Sequence, residues 1–195
     1  MIRTFLAVDL DDAFLREIAA LAERLRAVPQ LSAARWAGAD TLHTTLRFFG
    51  DTDDRQLATL RGLVHELAAG ATSLPVRAPS VHGFPERARA HVLVLDILDA
   101  LDGETDATSG VPHATLASLA ARAEQRAVSL GFAAESRPYH AHLTLARMRK
   151  AVDVTSLAVE AALLPPGKAT AITLYQSSSS TNGAVYTPLE RAVLG

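Results

Sequence analysis

Hydrophobic residues along this chain recur with two different periods, and each change of period marks a predicted element. Residues 3–9 read as a short strand, and the next stretch carries an apolar helical stripe behind a cap at Asp11 or Asp12. That stripe consists of Phe14, Ile18, Leu21, Leu25 and Val28. Further strands are predicted at 34–36, 42–49, 74–81, 91–98, 139–147, 169–176 and 184–191, and further helices at 52–70, 112–131 and 153–163. The elements of the first half return, shuffled, in the second, which suggests an internal duplication.

Two of the predicted strands carry the same polar motif, His-x-Thr-Leu. His43 and Thr45 occur in the first half, and His142 and Thr144 occur in the second. Residues two apart on a strand share a face, so each motif directs one imidazole and one hydroxyl to the same side. If two such motifs meet, they supply the groups that acid–base chemistry on a phosphate ester needs.

A third His-x-Thr-Leu begins at His113, but its surroundings differ. It follows Pro112 and opens an alanine-rich run with a helical hydrophobic period. On a helix, residues two apart do not face each other. The sequence therefore predicts that His113 is a helix-entry residue and not a catalytic one.

Composition narrows the class of protein. The 195 residues are 49% hydrophobic, enough for one domain over 1–195 or two fused lobes, and no separate linker is evident. Without cysteine there is no disulfide framework, zinc–thiolate site or thiol nucleophile. A net charge of -2 favours a small site, such as a nucleotide or an RNA end, over a broad nucleic-acid surface. With no signal peptide or membrane span predicted, we expect a soluble cytoplasmic protein.

The paired motifs and their flanks resemble the two-histidine (2H) phosphoesterase superfamily. Within it the chain is most similar to the RNA 2',3'-cyclic phosphodiesterases, also known as the 2'-5' RNA ligase family. The similar stretches cover nearly the whole chain in order: 3–9, 35–36, 42–50, 83–85, 131–132, 137–147, Tyr175 and Tyr186. The resemblance implies an α+β fold, bilobal and internally duplicated, with two antiparallel sheets facing a central cleft, helices outside and one motif in each lobe. It also implies an enzyme that uses no metal or other cofactor.

The resemblance further implies that His43 and His142 hydrolyse a 2',3'-cyclic phosphate to a 2'-phosphomonoester. We assign His43 as the acid and His142 as the base, although the sequence is nearly symmetric on this point. Thr45 and Thr144 would donate hydrogen bonds to the non-bridging phosphate oxygens. The expected partners are RNA ends or nucleotides that carry this phosphate, with no membrane and no obligate protein partner.

Four further residues are candidates for the site. Arg47 shares a face with Thr45 under strict alternation and is predicted either to bind phosphate or to form a cross-strand charge pair. Arg147 matches the family's phosphate-contacting arginine, but strict alternation directs it away from His142, so this role needs a strand bend. Phe48 and Tyr139 are candidates for stacking on a base, with core packing as the alternative.

Other interpretations remain open at this stage. His140 and His142 have a spacing found in metal sites, but the nearby sequence marks no further ligand. The same catalytic residues would also serve 2'-5' RNA ligation, which is the reverse reaction with a ribose hydroxyl as nucleophile. A third alternative is a module that binds a nucleotide or an RNA end without turnover.

Overall fold

Three α-helices occur in the computed structural model, which describes residues 1–100, 114–157, 164–180 and 183–195. They are α1 (Asp12–Arg26), α2 (Asp54–Ala68) and α3 (Leu116–Ser129). Each begins behind a side chain that accepts a backbone hydrogen bond from the first turn: Asp11, Asp53 or Thr115. Thr115 belongs to the third His-x-Thr-Leu sequence, so the threonine of that match caps a helix, while His113 lies outside the described residues.

The strands of the described chain form a single antiparallel sheet. They are β1 (Ile2–Leu10), β2 (Arg35–Trp36), β3 (Thr44–Thr52), β4 (Leu74–Arg77), β5 (Val81–Phe84), β6 (Ala90–Asp96), β7 (Leu98–Asp99), β8 (His142–Val152), β9 (Gly167–Ser180) and β10 (Gly183–Val193). Their order is β5-β6-β8-β3-β1-β9-β4-β7, with β10 paired to β9 and β2 paired to β8. The predicted α+β class is confirmed.

The sheet has two halves, which meet where the two motif strands begin. Thr44 of β3 pairs with Leu143 of β8, and no further pair in the described chain joins these two strands. One half contains β5, β6, β8 and β2, and the other contains β3, β1, β9, β10, β4 and β7. The two predicted sheets are therefore continuous at this one point, because β3 and β8 start side by side and then separate.

The two faces of the sheet have different roles. On one face, Leu6, Val8, Leu143 and Leu145 join the main hydrophobic core together with the buried residues of the three helices. Phe5, Ala7 and Val94 are equally buried but lie outside that core. They line the opposite face, which also carries the two motifs and which we call the motif face. The helices thus cover one side of the sheet and leave the motif face for the site.

Two predicted elements differ from the structure. The predicted strand at 74–81 is divided into β4 and β5, because Pro79 cannot donate a hydrogen bond to a ladder. The predicted helix at 153–163 does not begin at Asp153, since the Asp153 side chain accepts hydrogen bonds from Thr155 and closes a turn instead. Residues 158–163 lie outside the described chain. No described helix is long and apolar enough to cross a membrane.

Candidate active site

The first motif histidine is held by the backbone just before β3. The Nδ1 atom of His43 lies 2.8 Å from the carbonyl oxygen of Thr41. Because a carbonyl oxygen can only accept a hydrogen bond, Nδ1 carries the proton and donates it. In the neutral ring, Nε2 then has no proton and can accept one. Phe5 and Tyr186 fix the plane of the imidazole, with ring centroids at 4.8 and 5.0 Å.

The second motif histidine is held in the same way. The Nδ1 atom of His142 donates to the carbonyl oxygen of His140 at 2.8 Å, again two residues earlier in the chain. Phe84 and His140 lie beside the ring, with centroids at 5.8 and 5.7 Å. The two imidazoles therefore have the same tautomer, and each presents Nε2 for proton transfer.

Sheet register brings the four motif side chains to one place. Extending the Thr44–Leu143 pair by one residue in each direction sets His43 opposite Thr144 and Thr45 opposite His142. The four side chains then lie on the face opposite the buried Thr44 and Leu143 side chains. Each histidine thus faces the threonine of the other motif, in an approximately two-fold arrangement.

A β-bulge in each motif strand changes which later residue reaches the motif face. In β8, Leu93 pairs with Ala146 but Val94 pairs with Thr144, so Leu145 is the extra residue. Leu145 and Ala146 are consequently both buried, and Arg147 returns to the motif face. The bulge supplies the bend that a phosphate-contacting Arg147 requires. In β3 an equivalent bulge at Leu46 returns Phe48 to the motif face.

The bulge at Leu46 of β3 turns the Arg47 side chain away from the motif face. Its predicted role in phosphate binding is therefore corrected. Arg47 pairs with the buried Leu6 of β1, so its side chain points toward the helices. There its guanidinium forms an ion pair with Glu124 of α3 and donates to the carbonyl oxygens of Phe48 and Ala133. Arg47 is 8% exposed. A charge pair was the alternative prediction, and its partner belongs to a helix and not to a neighbouring strand.

The two predicted stacking residues have different surroundings. Phe48 is 59% exposed, and its ring lies 5.6 Å from that of Phe5, which in turn contacts His43. Tyr139 instead packs against the hydrophobic core, and burial raises the pKa of its hydroxyl well above the usual value. Phe48 therefore has an exposed ring near His43, whereas Tyr139 packs against the core, which was the alternative prediction for both residues.

Two carboxylates that the sequence interpretation did not identify flank the histidines. Asp96 of β6 is the direct cross-strand partner of His142. Extending the Val8–Thr44 pair by one residue sets Asp9 of β1 opposite His43. Both carboxylates reach the histidines because of the order of strands in the sheet. Alternation along a single strand does not predict that order.

The two carboxylates have different partners. Asp9 accepts hydrogen bonds from Thr173 and Tyr175 at 2.8 Å and forms an ion pair with Arg191 at 2.9 Å. Asp96 accepts from the hydroxyl of Ser80, and its Oδ1 lies 3.2 Å from Nε2 of His140. His140 is thereby engaged with a carboxylate, and no described group of three or more His, Asp or Glu side chains is arranged to bind a metal.

Burial lowers the pKa of both histidines below 6.5, so their neutral forms are favoured near pH 7. At His43 the hydrogen bond to Thr41 and the charge of Asp9 act in the opposite direction, while His142 lowers the pKa further. At His142 the hydrogen bond to His140 and the charge of Asp96 raise the pKa, whereas the charges of His140 and Arg147 lower it. The effect of His142 on the pKa of His43 is consistent with the closeness of the two rings on the motif face.

The chain is similar in sequence to a family of phosphoesterases and to two relatives of that kind. The model of a family described as LigT like Phosphoesterase matches residues 8–94 and 110–186. The RNA 2',3'-cyclic phosphodiesterase of Bacillus subtilis (strain 168) is 29% identical over 119 residues, which are 61% of this chain and 58% of that protein. The protein of the same name from Methanothermobacter thermautotrophicus is 24% identical over 194 residues, covering 97% of each chain.

A solved structure with the same fold covers almost the entire chain. E. coli LigT complexed with 3'-AMP superposes with a TM-score of 0.66 at 26% identity, over 99% of this chain and 98% of that one. The family model thus includes both motif histidines, since 8–94 contains His43 and 110–186 contains His142, and the structural match covers 99% of the chain.

Proposed function

The chain belongs to the LigT like phosphoesterase family, and we propose that it hydrolyses 2',3'-cyclic phosphate ends of RNA or nucleotides to 2'-phosphomonoesters without a metal. The observation that carries this proposal is the matched pair of imidazoles, each anchored through Nδ1 to a backbone carbonyl two residues earlier. The names of the two relatives and the 3'-AMP complex of E. coli LigT support a substrate of the nucleotide type. We further propose one bilobal catalytic domain over 1–195, with one motif in each lobe, that acts in the cytoplasm.

Hydrolysis needs one neutral and one protonated imidazole on opposite sides of the phosphorus. We assign His142 as the base, since burial, His140 and Arg147 all lower its pKa and so favour the neutral form that a base needs. Its Nε2 takes a proton from a water molecule as the water oxygen attacks phosphorus. The new P–O bond forms in line with the bond to the ribose 3'-oxygen.

His43 is then the acid. The carboxylate of Asp9 favours its protonated form, partly offsetting the effect of burial. As the bond between phosphorus and the 3'-oxygen breaks, Nε2 of His43 gives its proton to that oxygen, and the phosphate remains on the 2'-oxygen. Afterwards His142 is protonated and His43 is neutral, and proton exchange with solvent restores the starting states.

Charge on the non-bridging oxygens grows in the transition state, and hydroxyls and a guanidinium are suited to stabilise it. Thr45 and Thr144 flank the two rings, and neither hydroxyl is engaged by another described residue. Arg147 adds a full positive charge from the β8 side. Phe48, on the β3 side, offers an exposed aromatic face for the base.

Phosphorus NMR of the purified protein with adenosine 2',3'-cyclic phosphate in EDTA tests this function. We expect conversion to the 2'-phosphomonoester, and a fall of at least about 10²-fold in rate for His43→Ala and for His142→Ala. His91→Ala is the matched control, because His91 is exposed on β6 and has no role in the proposal. Conversion that requires added metal, yields the 3'-phosphate or persists in both motif variants would overturn the assignment.

A further inference from the structure

Two arginines face each other across the strands beside the catalytic motif. Arg35 of β2 is the direct cross-strand partner of Arg147 of β8, while the neighbouring pair is Trp36 with Ala146. Ala146 is buried on the core side, so the arginine pair projects from the motif face. Both arginines are exposed.

Like charges directly opposite each other on antiparallel strands destabilise a sheet. Neither Arg35 nor Arg147 forms an ion pair with any acidic residue of the described chain, whereas Arg26, Arg47, Arg61, Arg126 and Arg191 all do. A pair of uncompensated guanidinium groups next to a phosphoesterase motif is the arrangement expected where anionic groups bind.

The side chain of Arg35 also lies against a neighbouring hairpin. A Cβ atom added to Gly183 would lie 2.3 Å from the Arg35 guanidinium, and Gly183 has a φ of 131°, which favours glycine. Arg35 therefore lies against bare backbone at the start of β10. The same strand brings Tyr186 to the ring of His43 at 5.0 Å. The hairpin thus connects the surroundings of the first histidine to Arg35.

We propose that Arg35 binds the phosphate on the 5' side of the terminal nucleoside, so that the preferred substrate is the end of an RNA chain and not a free cyclic nucleotide. This inference rests on the proposed function. It adds a specificity-determining residue whose partner is a second phosphate group, distinct from the one that reacts.

Two observations separate this second phosphate from the reacting one. Arg147 lies on β8, the strand that begins with His142, and its charge lowers the pKa of His142, whereas Arg35 lies on the neighbouring β2, so Arg147 is the arginine assigned to the reacting phosphate. Arg35 also lies on the far side of Arg147 from β6, on a strand that carries no motif, and its guanidinium lies against the hairpin at Gly183. A nucleotide chain that continues past Arg147 would meet Arg35 next.

The test compares two substrates that differ by one phosphate. They are adenosine 2',3'-cyclic phosphate and the same molecule with an additional 5'-phosphate. We expect the wild-type protein to favour the second in kcat/KM by about tenfold, the effect of one charge-assisted hydrogen bond. Arg35→Ala should abolish this preference by lowering kcat/KM for the second substrate to the level of the first, while Arg35→Lys should keep part of it.

Arg16→Ala is the matched control, because Arg16 is an exposed arginine on α1. It should retain the full preference. With a short RNA substrate, Arg35→Ala should also reduce the slope of log(kcat/KM) against log[salt] by about 0.7, as for one lost phosphate contact to a single strand. Thermal unfolding of each variant shows that the fold is intact.

Each outcome has a distinct meaning. Hydrolysis of both substrates with no preference, or a preference that survives in Arg35→Ala, overturns the role of Arg35 and leaves the proposed function standing. Failure of the wild-type protein to hydrolyse either substrate overturns both proposals.

Discussion

Phe48 and Arg147 occupy equivalent positions on the two motif strands, each five residues after its histidine and each returned to the motif face by a bulge. The two-fold arrangement of histidines and threonines is therefore broken by an exposed aromatic ring on one side and a guanidinium on the other. The two ends of an otherwise symmetric site therefore differ, so a bound nucleotide would have one preferred orientation. Under the proposed function, we expect the reacting phosphate to bind beside Arg147 and the base to stack beside Phe48.

Replacing Arg147 should lower catalysis more than binding. Arg147→Ala removes a positive charge from oxygens that become more negative in the transition state, so we expect kcat to fall by about 10²-fold. Arg147→Lys should recover part of the loss, since it keeps the charge but not the fork of donors. Steady-state kinetics on a cyclic nucleotide measures both, and an unchanged kcat in Arg147→Ala would contradict this role.

Replacing Phe48 should lower binding more than catalysis. Phe48→Ala removes the stacking surface, and we expect KM for a cyclic nucleotide to rise by about tenfold with kcat little changed. Phe48→Trp should retain the affinity. Val193→Ala is a suitable control because Val193 is also an exposed apolar residue, at 65%. If KM is the same in Phe48→Ala as in the wild type, the base binds elsewhere.

Arg47 should matter for stability and not for phosphate binding. Arg47→Ala leaves Glu124 without its partner, and we expect a loss of about 3 kcal/mol in the free energy of unfolding and a melting temperature lower by roughly 5–10 °C. Arg126→Ala breaks an exposed ion pair with Glu66 and should cost less than about 1 kcal/mol. Thermal denaturation gives both values. Loss of activity in Arg47→Ala well below its melting temperature, with stability unchanged, would restore a phosphate role.

Asp9 and Asp96 should act on opposite limbs of the pH profile. The negative charge of Asp9 raises the pKa of His43, the proposed acid, so Asp9→Asn should lower that pKa and move the alkaline limb to lower pH. Asp96 raises the pKa of His142, the proposed base, so Asp96→Asn should move the acidic limb to lower pH. Profiles of kcat/KM against pH for the two variants measure this. A shift of the same limb by both substitutions would contradict the assignment of acid and base.

Alternation along each strand predicted where the four motif side chains point, because the period of two holds from His43 to Thr45 and from His142 to Thr144. It failed beyond those residues, since each strand then contains a bulge. The hydrophobic pattern does not show where a strand has one residue more than its partner. Arg47 was therefore assigned to the wrong face. For the same reason, the bend that brings Arg147 to the motif face could not be predicted.

Contacts between strands that are far apart in the chain could not be predicted from local sequence patterns either. Asp9, Asp96 and Arg35 are each brought beside a motif strand by cross-strand pairing, which depends on the order of strands in the sheet. The helix predicted over 112–131 is confirmed as an element by α3, because its apolar stripe is a local feature, although it begins behind Thr115 and not near Pro112. Local signals thus predicted most of the elements and the face on which the motif side chains lie, while the residues around the motifs depend on the assembled sheet.

Acid–base catalysis by His43 and His142 is tested most directly by the pH dependence of kcat/KM on a cyclic nucleotide. The measurement compares the wild-type protein with the two motif variants. The base must be neutral and the acid protonated, so the wild-type rate should rise with pH through one pKa and fall through another. Because burial lowers the pKa of both rings, the maximum should lie below the ordinary histidine value of 6.5. The residual activity of His142→Ala should lose the acidic limb, and that of His43→Ala should lose the alkaline limb. A profile without two limbs in the wild-type protein would contradict catalysis by a pair of imidazoles.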